Sequence, residues 1–505
     1  MSAPADLHRP AVARATRGGA VAAGSRAAAG AGAAILRAGG NAVDAAIAAA
    51  AMACVAEPGL ASFGGGGFLM SRDADGEVDL FDAFVSVPGL PATEPLADDR
   101  SVELRVLFGG TSQVFHVGGG SVAVPGVLDG VVTAHRRLGR LPLAEVLAPS
   151  IEAAHRGVPV ESAQQYVLRI LTPVLGLTDE VRSLYTDDGA TYTQPTLRNE
   201  AFGRLLMLVA SGAVDSATSP VLRDAWKHVI AHSNLTADDL DAYRVLDRSP
   251  LRRMLRDAHG DIELLTNPPP AFGGDVLARA LTELTQGERS AAAIPAVLRT
   301  ATEAAKRAAA DGADAFTGTT HISVIDRDGG SAAFTLSNGS CSGVMLPGHG
   351  LQLNNMLGES DLRGAVGHVV PGQRLRSMMA PTMAVGRDGG FTVLGSGGSE
   401  RIRTAITFVL FGVLDGASLD EAVAAPRAHL DDDGVLQIEP GMSDALIADT
   451  VEHVTRTLGT APAVQQWTHT DLYFGGVNAV RREPDGSVLA VGDHRRGGAV
   501  ALESP

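Results

Sequence analysis

The hydrophobic residues of this chain recur in two rhythms. "SRAAAGAGAAILRAGGNAVDAAIAAAAMACVA" (25–56) has helical spacing and predicts two helices broken at Gly39-Gly40, the second capped by Asn41. "FGGGGFLMSRDADGEVDLFDAF" predicts a glycine loop and a hairpin turning at Asp75-Gly76. From about 126 to 310 the spacing is again mostly helical, as in "LPLAEVLAPSIEAAHRG", "NEAFGRLLMLVASG" and "LTADDLDAYRV", the last with Thr236 as cap. "TNPPPAFGGDVLARALTEL" reads as a rigid proline segment entering another helix. After Thr319 alternation takes over: "HISVIDRDGGSAAFTLS" is a hairpin and "GGFTVLGSGG" a strand running into a glycine turn. "RIRTAITFVLFGVL" is a helix, and "LYFGGVNAVRREPDGSVLAVGD" closes the chain as another hairpin. Strands flanked by long helices imply a layered α/β architecture.

Composition narrows the function classes. At 505 residues the chain forms either two domains or one large layered unit. Its 60 glycines and few aromatics suit close backbone approaches. A net charge of −16 argues against nucleic acid or anionic membranes as partners, and leaves a small-molecule substrate open. Cys54 and Cys341 are too few for a disulfide framework or a cysteine zinc site, and the fourteen histidines show no HExxH spacing. No metal or cofactor is expected. The N-terminus lacks an apolar signal-like run, and the apolar stretch 42–56 contains Asp44 and is too short to span a bilayer, so a cytoplasmic location is expected.

The stretch "TGTTHISVIDRDGG" (317–330) carries the chemistry. With "DRDGG" as the turn and Ile325 facing Ser331, antiparallel pairing sets Thr319 opposite Ser337, with Thr335 one alternate position away. A threonine hydroxyl needs an adjacent base. If the Gly318–Thr319 bond is broken, Thr319 gains an α-amine with pKa near ~8, so one residue supplies nucleophile and base. Gly318 permits strained backbone and crowds no attacking hydroxyl. Taken alone, paired threonines at a strand start are more simply explained by β propensity.

Other candidates are weaker. Cys341 in "GSCSG" resembles a nucleophile elbow, but no helix pattern follows, which favours a covering loop. His321 shares a strand face with Thr319 and reads as positioning or structural. "GGGG" (64–67) lacks P-loop and dinucleotide spacing and reads as close backbone packing; "LDDDG" (430–434) reads as a solvated turn.

Read together, nine motifs change the balance. "AAILRAGGNAVDAAIAAA", "FGGGGFLM", "SVAVPGVLDG", "LGRLPLAEVLAPSI", "NPPPAFGG", "TTHISVIDRDGG", "LQLNNML", "MMAPT" and "GSGGSERIRTAI" occur in the order seen in the γ-glutamyltranspeptidase family, which this chain resembles from about residue 30 to 498. The resemblance implies a four-layer αββα N-terminal-nucleophile hydrolase whose precursor cuts itself into subunits that stay together, here 1–318 and 319–505. It implies Thr319 as nucleophile, Thr335 as its hydrogen-bond partner, and Gly397 and Gly398 as oxyanion donors, with an offset to Gly398 and Ser399 left open.

The recognition residues depart from the family. Ala83 or Phe84 stands where an arginine clamps the glutamyl α-carboxylate. The serine pair that also holds it is Ser377 and Met378, and the α-amine positions are Ser337, Met356 and Glu359. Two readings follow. Either Arg374, Arg376, Arg401 or Arg403 substitutes in γ-glutamyl hydrolysis or transfer, or the machinery acts on another acyl group. The second would make it an amide acylase or a carbon–carbon bond hydrolase of a 4-alkylproline-type antibiotic pathway. An uncleaved, inactive scaffold is the remaining alternative.

Overall fold

The computed structural model describes residues 9–94, 100–108, 111–185, 195–256, 260–287, 289–308, 314–315, 318–358 and 369–504. Among them two antiparallel seven-stranded sheets form the centre. One runs Ala499–Leu502, Ala20–Ala23, Thr319–Ile325, Ser331–Ser337, Gly66–Arg72, Val78–Ala83, Leu246–Arg248. The other runs Ala11–Ala15, Val488–Gly492, Gly476–Arg482, Phe391–Gly397, Thr382–Gly386, Asp261–Thr266, Leu251–Arg256.

Strand alternation sorts the side chains into three cores. Ile322, Val324, Phe334 and Leu336 face a helical layer that includes Ala45, Ile47 and Val55. Ile325, Ala333, Phe68 and Met70 meet Val393, Val480 and Ala490 between the sheets. Leu394, Val477 and Val491 face outward onto Leu277, Leu281 and Val409 of a second helical layer. Each sheet thus buries both faces, one on helices and one on its partner sheet, which makes four αββα layers.

The helix Ala42–Ala56 shows why this chain is rich in alanine. Every residue of it is buried, against the helices Arg26–Arg37 and Leu143–Arg156 and the strands Thr319–Ile325 and Ser331–Ser337. Small side chains let those backbones approach from all sides. Its Asp44 belongs to the start of the helix: Asn41 and Asp44 form a reciprocal capping box, and Asp44 also accepts from Arg140 N and Leu141 N at 3.0 Å each.

Most predicted elements stand where spacing placed them, including the hairpin with Gly76 at φ +95°, the Thr236 cap and the helix Arg401–Leu414. Three regions differ. Ala11–Ala15 and Ala20–Ala23 are strands where the spacing assigned no element. Leu246–Arg248, Leu251–Arg256 and Asp261–Thr266 are strands inside the supposed helical run. Leu251–Arg256 lies at a sheet edge, so its arginines break the alternation that would have marked it. The chain also continues past its last hairpin into a strand, Ala499–Leu502, that pairs with Ala20–Ala23.

Candidate active site

The predicted hairpin register holds at every position: Thr319 faces Ser337, His321 faces Thr335, and Ile325 faces Ser331. Thr319, His321 and Ser323 therefore point between the sheets, alongside Thr335 and Ser337, and all five are buried.

From the opposite sheet, Gly395 and Gly397 lean on this strand. A methyl on Gly395 would stand 2.4 Å from His321 Nδ1, and one on Gly397 would stand 2.2 Å from the Thr319 carbonyl oxygen. Only hydrogen fits at either position, so the glycines of "GSGG" set how closely the strands carrying Thr319 and Gly397 approach. Gly398, at φ +121°, turns the chain out of the strand, and Ser399 follows at φ +56°. The four-glycine run does the same beneath the second hairpin strand: a methyl on Gly65 would meet the Ser337 carbonyl oxygen at 2.0 Å.

The hydrogen bonds here have a fixed direction. Ser323 Oγ can only donate to the Asn478 carbonyl, at 3.0 Å, so it accepts from His321 Nε2–H at 2.9 Å. Burial pushes the His321 pKa down to about 3, so the ring is neutral and its Nδ1 is an acceptor. The Thr335 hydroxyl must then donate to Nδ1, at 2.7 Å. Thr335 is left with lone pairs only, the polarity needed to accept a hydrogen bond from an amine or hydroxyl. Asn478 Nδ2 closes the loop by donating to the His321 carbonyl at 2.9 Å.

The bond before Thr319 is held under constraint. Ser337 Oγ donates to the Gly318 carbonyl at 2.5 Å and accepts from Gly339 N at 3.0 Å. Gly318 has φ +52°, and a methyl on it would meet Ser340 N at 2.3 Å, while Ser340 and Cys341 themselves have φ +65° and +61°. With Gly339 at φ +63°, three consecutive residues in left-handed backbone stand beside Gly318 and mark a strained segment.

The other predicted residues disperse. Ser377 is buried and accepts from Met379 N at 3.1 Å; its strand Arg376–Ser377 pairs with Asp314–Ala315, just upstream of Gly318. Met356 lies in the inter-sheet core, with its backbone against Gly339. Met378 packs in the core beneath the outer helices, where Arg403 Nη1 donates to its sulfur at 3.6 Å. Glu359 lies outside the described residues. Of Ala83 and Phe84, where the arginine was expected, both are buried, and Phe84 stacks on Phe68 with ring centroids 5.3 Å apart.

Arg374 comes to that place but is engaged. It bonds the Phe84 carbonyl, pairs with buried Asp82 at 3.5 Å, donates to the Arg244 carbonyl at 2.6 Å and stacks on the Tyr243 ring at 4.6 Å. Cys341 is a buried free thiol whose pKa burial pushes up to about 12, with no helix following it.

Spacing did not reveal Glu57, wholly buried behind the hairpin, where the Thr320 and Ser25 hydroxyls face it. Burial pushes its carboxyl up to about 7, and those hydroxyls hold it below what burial alone would give. Its only sequence signal was an acid directly after a helix whose residues past Asp44 are all apolar.

Comparison with known proteins decides the family. The gamma-glutamyltranspeptidase profile matches residues 28–317 and 313–503. The chain belongs to that family. An acylase ACY 1 proenzyme of a Pseudomonas species is 30% identical over 533 residues, spanning 93% of this chain and 90% of the relative. A glutathione hydrolase proenzyme of Pseudomonas aeruginosa is 30% identical over 556 residues, spanning 96% and 94%. The crystal structure of a cephalosporin acylase from Bacillus halodurans shares the fold, with a TM-score of 0.79 at 23% identity over 97% of this chain and 96% of that one. This gamma-glutamyltranspeptidase-family chain is thus an enzyme, a hydrolase or acyltransferase that cleaves acyl bonds. Among its described residues no helix is long and apolar enough to cross a membrane.

Proposed function

We propose that the chain is an autoprocessing enzyme that cuts its own Gly318–Thr319 bond and then uses Thr319 as nucleophile. The Ser337 hydrogen bond to the Gly318 carbonyl, on a backbone at φ +52°, carries the reading. In the first step Thr319 Oγ attacks the Gly318 carbonyl carbon, and Ser337 O–H takes up the charge forming on the carbonyl oxygen. The C–N bond breaks as the hydroxyl proton passes to the Thr319 nitrogen. The resulting ester is hydrolysed by water, leaving a carboxylate on Gly318 and a free amine and hydroxyl on Thr319. Residues 1–318 and 319–505 remain together, because Ala20–Ala23 and Gly66–Arg72 are paired to the nucleophile hairpin on both sides.

In turnover Thr319 Oγ attacks a substrate acyl carbonyl, and the α-amine takes its proton while hydrogen-bonded to the lone pairs of Thr335. Backbone N–H groups at Gly397 and Gly398 hold the oxyanion, a contribution of about 3–4 kcal/mol. Water completes hydrolysis, and an amine acceptor completes transfer. The substrates are γ-glutamyl or related acyl compounds.

One observation favours a non-glutamyl acyl group. Ala83 or Phe84 takes the place of the expected carboxylate clamp, and Arg374, which bonds the Phe84 carbonyl, is spent on Asp82. Incubation followed by a denaturing gel, with anilide hydrolysis alongside, tests both levels. Two bands that merge in Thr319→Ala support the cut, and one persistent full-length band in the wild type overturns it. Hydrolysis of a simple acyl anilide with an inert γ-glutamyl anilide assigns the non-glutamyl reading.

A further inference from the structure

The buried acid that the proposed cycle leaves unused is Glu57. It closes the helix Ala42–Ala56, and its carbonyl accepts from Leu60 N at 2.8 Å and Ala61 N at 3.0 Å, so the chain turns tightly there. Its side chain is wholly buried, and neither carboxylate oxygen has a hydrogen-bond partner of good geometry. The bare α-carbon of Gly24 makes room for it: a methyl there would stand 2.5 Å from Glu57 Oε2 and 2.5 Å from Thr320 Oγ1. Glu57 is thus pressed against the residue that follows Thr319.

Arg496 reaches the same contact from the other side. Its stem lies on Gly476, where a methyl would meet Cβ, Cγ and Cδ at 2.8 Å each. Its guanidinium runs along the glycine turn: a methyl on Gly397 would stand 3.4 Å from Nε, and one on Gly398 would stand 3.2 Å from Nη1. Gly397 in turn leans on the Thr319 carbonyl. One residue further, a methyl on Gly497 would stand 3.8 Å from the Gly24 carbonyl oxygen. The two charged residues therefore flank the place where the strand of Thr319 meets the turn of Gly397 and Gly398.

The charges act on each other across that contact. Burial pushes Glu57 up to about 7; the Thr320 and Ser25 hydroxyls and the charge of Arg496 oppose this, and the like charge of Glu161 adds to it. Burial, followed by the like charge of Arg401, holds Arg496 down to about 10, against the pull of Asp471, Glu57 and Asp493. Arg496 is charged at neutral pH, and burial keeps the Cys54 thiol on the helix before Glu57 neutral. The other acids have closer partners. Asp493 pairs with Arg427 at 2.6 Å and Arg495 at 3.1 Å, Asp471 accepts from Tyr473 N at 2.8 Å, and Glu161 accepts from Arg26 N at 2.8 Å.

We propose that Glu57 and Arg496 are positioning residues: once Glu57 is ionised, its attraction to Arg496 draws the Thr319 end of its strand against the Gly397–Gly398 turn. Neither residue needs to touch the substrate, and protonation of Glu57 releases the clamp. An ionised carboxyl without hydrogen bonds is costly to bury, so function here opposes stability. The effect on turnover rests on Thr319 as nucleophile and on that turn as the oxyanion site; the charge coupling itself does not.

The first variant is Glu57→Gln, which keeps the shape and removes the charge. At about pH 8.5 it should resist urea better than the wild type yet show about 10-fold lower kcat on whichever anilide the wild type cleaves, with KM little changed. At about pH 5.5, where both side chains are neutral, the two kcat values should agree. Arg496→Met keeps the stem on Gly476 and should lower kcat by a similar factor at the higher pH, and the double variant should lose no more than either single one. An infrared carboxyl band that titrates near neutral pH and is missing in Glu57→Gln reads the coupling without turnover. Its midpoint should move upward in Arg496→Met. A kcat ratio independent of pH, losses that multiply in the double variant, or an unmoved infrared midpoint would overturn the proposal. A wild type that stays uncut and inert sinks the Thr319 reading instead, and the infrared midpoint alone then decides the clamp.

Discussion

The hairpin that opens at Thr319 and the buried cluster around Phe84 use polar groups in opposite ways. In the hairpin, polar side chains are linked in one direction, from Thr335 through His321 and Ser323 to the Asn478 carbonyl, and Thr335 keeps lone pairs. Around Phe84, polar groups close on one another: Asp82 is shared by Arg374 and Arg248, and Arg374 spends its remaining donors on backbone carbonyls and the Ser86 hydroxyl. A network with an open end can accept a further hydrogen bond. A closed one holds a loop in place. Family membership extends over both regions, but only the first retains groups with capacity left for a ligand.

The sharpest way to break this comparison is to remove the open end. Thr319→Ala should remain a single full-length chain and lose at least about 10³-fold in activity, whereas Thr319→Ser should retain both functions in part. A cleaved Thr319→Ala protein would put the reactive bond elsewhere.

Arg374→Ala tests the closed network. Leaving Asp82 with only the partly exposed Arg248 should cost about 3 kcal/mol, read as a lowered denaturant midpoint, with little change in KM of the folded enzyme. A raised KM at unchanged stability would make Arg374 a substrate clamp.

Glu57 gives a smaller effect with a definite sign. Its folded pKa is raised to about 7, so between the ordinary carboxylate range and that value the folded chain binds more protons than the unfolded one. Stability from this group therefore falls as pH rises through that window and levels off above about 7. Glu57→Gln should gain up to about 3 kcal/mol relative to wild type on going from pH 5 to pH 8, measured by urea unfolding. A constant difference between the two proteins across that range would show Glu57 ionised throughout.

His321→Gln is the finest probe. Losing the fixed acceptor at Nδ1 should lower kcat about 10-fold with KM nearly unchanged. The acidic limb of the pH profile should stay in place, because the neutral imidazole does not titrate there and the α-amine does. A limb near pH 6–7 that disappears in the variant would make the imidazole the base.

Much of the hairpin was legible beforehand. Its period-2 pattern and the "DRDGG" turn settle the register to the residue, since a slip by one would turn Ile325 and the serines to the wrong faces. The strands Ala11–Ala15, Ala20–Ala23 and Leu251–Arg256 were missed for a related reason. Short, alanine-rich or edge strands carry no clear alternation, and only pairing makes them strands: Ala11–Ala15 and Ala20–Ala23 pair with segments hundreds of residues away, Leu251–Arg256 with the adjacent Asp261–Thr266. Glu57 was equally obscure, because a buried carboxyl's state is a property of its neighbourhood.

What the sequence determined by itself is the local geometry: the hairpin register, the helix caps at Asn41 and Thr236, and the glycines that leave room for a second backbone. These depend on residues a few positions apart, whose spacing fixes turn type and face. What only the tertiary structure decided is the state of each polar group. The neutral ring of His321, the raised carboxyl of Glu57 and the employed Arg374 follow from burial and from partners brought together across the sheets. Electrostatic free energy depends on distance and dielectric in space, and neither can be counted along the chain.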